Sequence, residues 1–222
     1  MTDDLGFQPT LFDGGAPGFD RSFAGLRRIA LDEASWVDHA PGWVSGSDRL
    51  FLEVLRACRW DQRSRWMYER ELAEPRLTAP WELSSGAPLL PPLVDEMRRC
   101  LSARYGVLFD SAGFNLYRDG RDGVAWHADR IRPEVAAPVV VLVSLGEPRR
   151  FLLRPRGGGR SLAFRLGRGD LLVTGGEAQR AWEHAVPKVA RAGPRVSIAF
   201  RHGLDPSVYG RPIPPPAPGD AP

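Results

Sequence analysis

Two histidines and one aspartate have the residue types and the spacing to bind a metal ion. His127 and Asp129 lie two residues apart, and His184 follows them later in the chain. Two imidazoles and one carboxylate form the ligand set of non-haem Fe(II) sites, which keep open coordination positions for other reactants. A His-x-Asp pair also occurs in solvated turns, and a single histidine in hydrogen-bonded cores, so the surrounding pattern has to decide between these alternatives.

Two arginines near the end of the fold indicate which co-substrate would bind beside a metal ion that has open coordination positions. Arg195 and Arg201 flank a segment in which Val196, Ile198 and Phe200 alternate with polar or small residues. Such alternation predicts a strand with one apolar and one polar face, and the polar face carries both guanidinium groups. Guanidinium groups bind carboxylates through paired, charge-assisted hydrogen bonds. The combination predicts an iron oxygenase that uses a dicarboxylate keto-acid.

The metal residues fall in a part of the chain that has the pattern of short strands. From Gly113 onward, runs of β-branched and aromatic residues alternate with glycine-rich turns. We predict strands over residues 114–118, 124–129, 139–145, 150–154, 161–166, 170–174, 181–186 and 195–202. If His127 and Asp129 share one of these strands, their side chains point to the same face. This number of short strands favours a sandwich or jelly roll.

Two helices are predicted before the strands. Ser47 can cap a helix that runs to about Cys58 and carries apolar residues at helical spacing. The Pro91-Pro92 pair opens a second helix, and Gly106 ends it. Residues 60–81, between the helices, are aromatic and irregular.

We therefore expect one mainly β (α+β) domain over residues 26–203. Residues 26–112 would supply helical support and a lid, and residues 113–203 would form the jelly-roll core. Residues 1–25 are rich in Gly, Asp and Pro, and residues 204–222 are rich in Pro. Both are expected to be flexible tails.

Composition favours a cytoplasmic, globular, monomeric protein without a membrane partner. The chain has 222 residues, 43% of them hydrophobic, and a net charge of +3. Cys58 and Cys100 lie far apart in no metal or redox spacing, which fits a reducing compartment. The acidic start has no apolar segment of a secretory signal, and the longest apolar run, residues 139–143, is too short to span a bilayer.

Arginine supplies nearly all the positive charge, because Lys188 is the single lysine. Arginine stacks on bases and forks onto phosphates, so such a surface suits nucleic acid. Codon usage in a GC-rich genome would give the same excess without any function. Both explanations stay open at this stage.

The order of motifs around the metal residues resembles the AlkB family of Fe(II)/2-oxoglutarate dioxygenases, over about residues 60–202. The series is Asn115-x-Tyr117, His127-x-Asp129, Ser144-Leu-Gly146, Gly169-Asp170-Leu-Leu, Gly175-Gly176, His184-x-Val-Pro-Lys188 and Arg195-x-Ser-x-x-Phe-Arg201. The resemblance implies a double-stranded β-helix and the ligands Fe(II), 2-oxoglutarate and O2. It implies that iron is held by His127, Asp129 and His184. It implies that 2-oxoglutarate is held by Asn115, Tyr117, Arg195, Ser197 and Arg201.

The resemblance also implies an activity, the oxidative dealkylation of N-methylated bases in DNA or RNA. Formaldehyde leaves the base, while 2-oxoglutarate becomes succinate and CO2. The base must leave its stack, so single-stranded nucleic acid is the expected partner. The side chains expected to contact the substrate are Tyr68, Arg76, Trp81 and Trp126. Their alternative role is ordinary packing, and no catalytic group beyond the metal ligands is predicted.

Two positions depart from the family pattern and leave the substrate open. Ile131 stands where many members have an acidic residue that faces the flipped base, and Ala199 replaces a usual threonine. A 2-oxoglutarate oxygenase that acts on a protein or a small molecule is therefore the alternative. A cupin-like binding protein with an inactive site is a third hypothesis, which a complete ligand set and two arginines disfavour.

A short motif near the start indicates a possible protein partner. Gln8-Pro-Thr-Leu11-Phe12 resembles the QxxLF peptides that bind bacterial sliding clamps. Matches of this length are frequent by chance. The alternative is a tail that packs two apolar residues on the domain.

Overall fold

Fifteen strands and three α-helices make up the part of the chain described by this computed structural model, residues 5–9, 15–67, 70–129 and 131–203. The strands are β1 Gly18–Phe19, β2 Arg27–Ala30, β3 Ser35–Ala40, β4 Val44–Ser45, β5 Ser64–Met67, β6 Arg70–Ala73, β7 Leu77–Glu82, β8 Ser111–Tyr117, β9 Val124–His127, β10 Val140–Gly146, β11 Arg149–Pro155, β12 Leu162–Leu166, β13 Asp170–Gly176, β14 Trp182–Val186 and β15 Arg195–Arg201. The helices are α1 Ser47–Ala57, α2 Pro92–Tyr105 and α3 Ala178–Ala181.

Two antiparallel sheets lie against each other. The larger sheet has seven strands in the order β2-β3-β13-β10-β15-β8-β7, and the smaller has four in the order β12-β11-β14-β9. Two further pairs, β1-β4 and β5-β6, lie outside these sheets. Chain connections pass back and forth between the sheets, which is the arrangement of a jelly roll. The predicted mainly β fold with a double-stranded β-helix core is confirmed.

The two faces of the larger sheet have different partners, as strand alternation requires. On β15, Val196, Ile198 and Phe200 are fully buried in a core shared with α1 and α2. Arg195 and Ala199 point to the other face, toward the smaller sheet. The alternation seen in the sequence thus separates a helix-side core from a barrel interior that carries polar groups.

Both predicted helices are present, but the first begins differently from the prediction. Ser47 is the first helical residue, and the cap is Gly46 in the left-handed conformation, with φ of 59°. A Cβ on Gly46 would lie 2.7 Å from the backbone oxygen of Gly15, so glycine is required there. The second helix ends at Gly106, whose φ is 67°, as predicted.

The strands upstream of the jelly roll were missed by sequence reasoning. Strands β2, β3 and β7 extend the larger sheet at both edges, and β5 pairs with β6 in a hairpin. The alternation of β3 is concealed because Asp38 is buried, where Arg28 and Tyr105 donate hydrogen bonds to it at 2.7 and 3.0 Å. His39 lies on the same strand, with its ring 5.4 Å from that of Phe164.

Part of the expected N-terminal tail packs on the domain. The Phe7 ring lies 4.3 Å from that of Phe51, and β1 pairs with β4. Apolar side chains therefore anchor residues that composition alone marked as flexible.

Residues 10–12 of the clamp-like motif and residues 204–222 lie outside the described residues. In the described ranges, none of the helices has the length and apolarity needed to cross a bilayer.

Gly175 lets the larger sheet accept the ring of Trp36, which predicts a stability effect. A Cβ at Gly175 would lie 2.1 Å from Trp36 Cζ2, whereas a Cβ at Gly25 would meet nothing within 4 Å. Gly175→Ala should lower the free energy of unfolding by about 1–3 kcal/mol, the usual cost of overpacking. Urea denaturation measures this, with Gly25→Ala as the control. Equal midpoints for the two variants would contradict the packing argument.

Candidate metal and co-substrate site

The structure brings the three candidate metal ligands together at the mouth of the jelly roll. His127 ends β9 and is the cross-strand partner of His184 on β14. Asp129 follows two residues later and is 6% exposed. The ligand atoms of the three side chains all lie within 4.8 Å of one another. One ion can therefore contact all three, as the sequence predicted.

Neighbouring groups fix the orientation of these ligands. The Nδ1 atom of His127 lies 2.9 Å from the backbone oxygen of Ala125, which leaves Nε2 for a metal ion. Arg201 Nε donates to Asp129 Oδ2 at 2.9 Å. The backbone N–H of Asp129 donates to Gln179 Oε1 at 3.2 Å, so both the carboxylate and its backbone are held.

The protonation states of the cluster suit a cation. Loss of solvent around His184 lowers its pKa to about 3, and the neighbouring His127 adds to the shift. Burial by itself would raise the pKa of Asp129, but the charge and the hydrogen bond of the Arg201 guanidinium outweigh burial and hold this pKa below its usual value. A neutral imidazole and an ionised carboxylate are the forms that bind metal. The residues present fit Fe(II).

A second polar centre lies deeper in the barrel, at Arg195. This side chain is 1% exposed, and its NH2 group donates to Ser144 Oγ at 2.6 Å. The Tyr117 ring lies 5.3 Å from the guanidinium carbon. Burial lowers the pKa of Arg195 from its usual high value. Its Nε and NH1 atoms have no hydrogen-bond partner among the described residues. A buried guanidinium with two unpaired nitrogens fits a carboxylate ligand.

A row of polar side chains crosses the larger sheet between these two centres. Register places them side by side on the barrel face: Thr78, Asn115, Ser197, Ser144 and Asp170. The five residues predicted to hold 2-oxoglutarate all lie on β8 and β15, which are adjacent strands. The structure thus brings them to one face, and their contact with the co-substrate stays a prediction.

The residues predicted to contact substrate are more scattered. Trp126 stacks on Arg154, with 3.9 Å between the guanidinium carbon and the ring, and points away from its neighbour His127. Trp81 packs against the helix-side core and donates to the backbone oxygen of Ala87 at 2.8 Å. The structure therefore places both tryptophans on faces opposite the metal cluster, because adjacent strand residues point to opposite sides. Tyr68 lies outside the described residues.

Arg76 does lie in the site, but its contacts are with protein groups. Its Nε donates to Asn115 Oδ1 at 3.1 Å, and its NH2 lies 2.8 Å from Glu74 Oε2. Its charge contributes to the lowered pKa of His184. A residue expected to face the substrate thus contacts a residue expected to hold the co-substrate.

Two residues of the site were not identified from the sequence, Gln179 and Gly113. Gln179, on the short helix α3, donates to Thr174 Oγ1 at 2.8 Å while it accepts from Asp129. Gly113 lies beside the barrel face of β8, and a Cβ there would lie 3.0 Å from Arg201 NH1. Gly113 could have been found, because it is two residues from Asn115 and shares its face. Gln179 carries no comparable signal, since its partner lies 50 residues away.

Comparison with known protein families gives one match over most of the domain. The model of the 2OG-Fe(II) oxygenase superfamily matches residues 50–201. A solved structure titled "The structure of OsALKBH1" superposes with a TM-score of 0.56 at 15% identity, and covers 79% of this chain and 100% of that chain. At that identity the superposition supports the fold alone.

Three relatives are each about 30% identical to this chain. The cattle (Bos taurus) alpha-ketoglutarate-dependent dioxygenase alkB homolog 3 is 29% identical over 198 residues, which are 80% of this chain and 66% of the relative. The rat (Rattus norvegicus) protein of the same name is 30% identical over 86% of this chain and 65% of its own length. The Arabidopsis thaliana DNA oxidative demethylase ALKBH2 is 31% identical over 50% of this chain and 43% of the relative. The chain thus spans about 64–66% of the length of the homolog 3 proteins it matches.

Removal of one ligand should strongly weaken metal binding. We expect Asp129→Ala to weaken Fe(II) affinity by more than about 100-fold. Loss of a residue that only hydrogen-bonds a metal ligand already lowers metal affinity about 10–100-fold. Anaerobic titration of the metal-free protein with Fe(II) measures this. Asp119→Ala is the control, since Asp119 pairs with Arg121 at the surface. Unchanged affinity in folded Asp129→Ala protein would remove Asp129 from the ligand set.

Proposed function

Because this chain belongs to the 2OG-Fe(II) oxygenase superfamily and, within it, to the AlkB family, we propose that it is a dioxygenase that oxidatively removes methyl groups from nitrogen atoms of DNA or RNA bases. Its co-substrates are 2-oxoglutarate and O2, and its products are the repaired base, formaldehyde, succinate and CO2. The observation that carries the proposal is the pairing of two centres in one barrel. The same barrel holds a His-Asp-His cluster and the buried guanidinium of Arg195, whose Nε and NH1 atoms meet no hydrogen-bond partner among the described residues.

Each centre has a defined part in the proposed reaction. Bound Fe(II) supplies the oxidation of a methyl C–H bond, with 2-oxoglutarate and O2 as the source of oxidising power. Arg195 binds the distal carboxylate of 2-oxoglutarate, where burial excludes competing water. Arg201 keeps Asp129 ionised and directed at the metal position. His184 stays neutral, so its lone pair is available.

Three observations support a nucleic-acid substrate. The Arabidopsis relative is named a DNA oxidative demethylase. The β5–β6 hairpin joins the barrel through the segment that carries Arg76, which bonds Asn115 and whose charge acts on His184. Arginine supplies nearly all the positive charge of the chain. We extend the proposal to single-stranded substrate, because a base held in an intact duplex costs energy to extrude. The expected monomeric state stays a separate part of the proposal.

One position favours a second candidate function. Ile131 is half-buried in the loop that follows Asp129, where an acidic side chain would be expected to face a cationic methylated base. An apolar residue there offers no charge for such a base. A 2-oxoglutarate oxygenase that acts on a protein or small molecule is the alternative.

Succinate formation separates these candidates. We expect Fe(II)-loaded protein to form succinate faster with methylated single-stranded oligonucleotide than with unmethylated oligonucleotide or with methylated duplex. Binding should weaken with salt, since arginines displace counterions from phosphates. DNA and RNA arms identify the preferred polymer. Equal succinate formation with and without methylated nucleic acid, of either kind, would favour the alternative function.

The role of Arg195 can be tested by its removal. Arg195→Ala should weaken 2-oxoglutarate binding by about 2–5 kcal/mol, the usual loss when one partner of a buried charge pair is truncated. That corresponds to a rise in Kd of at least about 25-fold. Anaerobic calorimetry with Fe(II)-loaded protein measures it, with Arg49→Ala on the exposed face of α1 as the control. A Kd equal to that of the wild type would exclude the carboxylate role.

A further inference from the structure

Arg76 reaches the site from the segment that follows the β5–β6 hairpin. Its side chain is 14% exposed and lies between two polar partners, the carboxylate of Glu74 and the carboxamide of Asn115. Neither partner is a candidate metal ligand. The position of Arg76 therefore suits a residue that holds another side chain in place.

We infer that Arg76 is a positioning residue for the co-substrate, which fixes the Asn115 carboxamide so that its NH2 group faces 2-oxoglutarate. The inference rests on the proposed function, because it assigns a task within the same site. It differs from the role expected from the sequence, in which Arg76 contacts the methylated base.

The chemistry of the guanidinium group sets the orientation of the amide. Arginine has only hydrogen-bond donors, so the atom of Asn115 that faces Arg76 must be the acceptor Oδ1. The contact in the structure, 3.1 Å between Arg76 Nε and Asn115 Oδ1, has this direction. The Nδ2 group is then turned to the other side, where the oxygen of Gly113 lies at 3.5 Å. This hydrogen bond is long and uses one amide hydrogen, so the other remains available to a carboxylate.

The guanidinium itself is held by a buried anchor. Glu74 is 8% exposed, and Arg76 NH2 lies 2.8 Å from its carboxylate. Removal of either partner would leave a buried charge without compensation, which is strongly destabilising. The NH2 nitrogen of Arg76 contacts Glu74. Because the guanidinium group is planar, this contact fixes the direction in which Nε points to Asn115.

Backbone bonds hold the segment on both sides. The N–H of Glu74 donates to the oxygen of Arg63 at 2.7 Å, which closes the base of the hairpin. The N–H of Gly123 donates to the oxygen of Pro75 at 2.9 Å, which ties the segment to the turn before β9. The base of the hairpin and the co-substrate site thus share Arg76. A change in the hairpin base is expected to alter 2-oxoglutarate affinity through Asn115.

A double-mutant cycle distinguishes positioning from direct contact. Arg76→Lys keeps the charge but cannot bridge Glu74 and Asn115 with one planar fork. We expect it to raise the Kd for 2-oxoglutarate about tenfold in Fe(II)-loaded protein, measured by anaerobic calorimetry. In an Asn115→Ala background the same change should alter the Kd less than about twofold, since contacting residues that act through each other are not additive.

The matched control is Arg28→Lys. Arg28 also pairs with a buried carboxylate, Asp38, but at the opposite edge of the larger sheet. It should leave the Kd within about twofold of the wild type. Thermal denaturation of each variant identifies loss of fold, and Glu74→Gln, which keeps the shape of the anchor, is a second variant that should raise the Kd in the same direction.

The outcomes are distinct. Wild-type affinity in both Arg76→Lys and Glu74→Gln overturns the inference, and a loss of oligonucleotide demethylation alone would then assign Arg76 to the substrate. An Arg76→Lys effect that persists undiminished in the Asn115→Ala background also overturns it. A wild-type protein that binds no 2-oxoglutarate in the presence of Fe(II) overturns the proposed function itself, and the inference with it.

Discussion

The contact between Arg201 and Asp129 is the interaction on which the site depends. A carboxylate that is 6% exposed would be expected to take up a proton, since burial disfavours its charge. The guanidinium at 2.9 Å reverses that preference and keeps an anion where a cation can bind. Glycine at position 113 leaves the space that the guanidinium occupies. The metal cluster is therefore a property of the sheet as well as of its three ligands.

A polar barrel interior is possible because the larger sheet is stabilised on its other face. Val196, Ile198 and Phe200 pack into the helix-side core and leave the alternate positions of β15 free for function. Arg195 can then be buried with two nitrogens that no described residue pairs, at a cost that a bound carboxylate would offset. The stability of the fold and the reactivity of the site are thus divided between two faces of one strand.

The hairpin and the barrel are connected by few residues. Glu74 contacts the base of the hairpin, and Pro75 contacts the turn before β9. Arg76 contacts the carboxamide of Asn115. In the proposed enzyme, the hairpin that is expected to contact the substrate is therefore linked to the residues expected to hold the co-substrate. Such a link would let the two binding events influence each other without a large rearrangement.

The sequence by itself determined the features that depend on local order. The alternation of β15 and the ends of α2 follow from residue type and spacing, which set the face on which each side chain lies. The three metal ligands were identified by the order of motifs around them, which resembles the AlkB family. Sequence reasoning missed β3, because its buried Asp38 is satisfied by Arg28 and Tyr105, and Tyr105 lies 67 residues away.

Only the tertiary structure decided which partner each side chain meets. Arg76 bonds a residue 39 positions away, and Gln179 one 50 positions away. Trp126 adjoins His127 in the sequence and Trp81 lies five residues after Arg76, yet the strands that carry both tryptophans turn them away from the site. Periodicity separates the two faces of a strand, but the register between strands determines what lies opposite each face, and register is set by packing of the whole sheet.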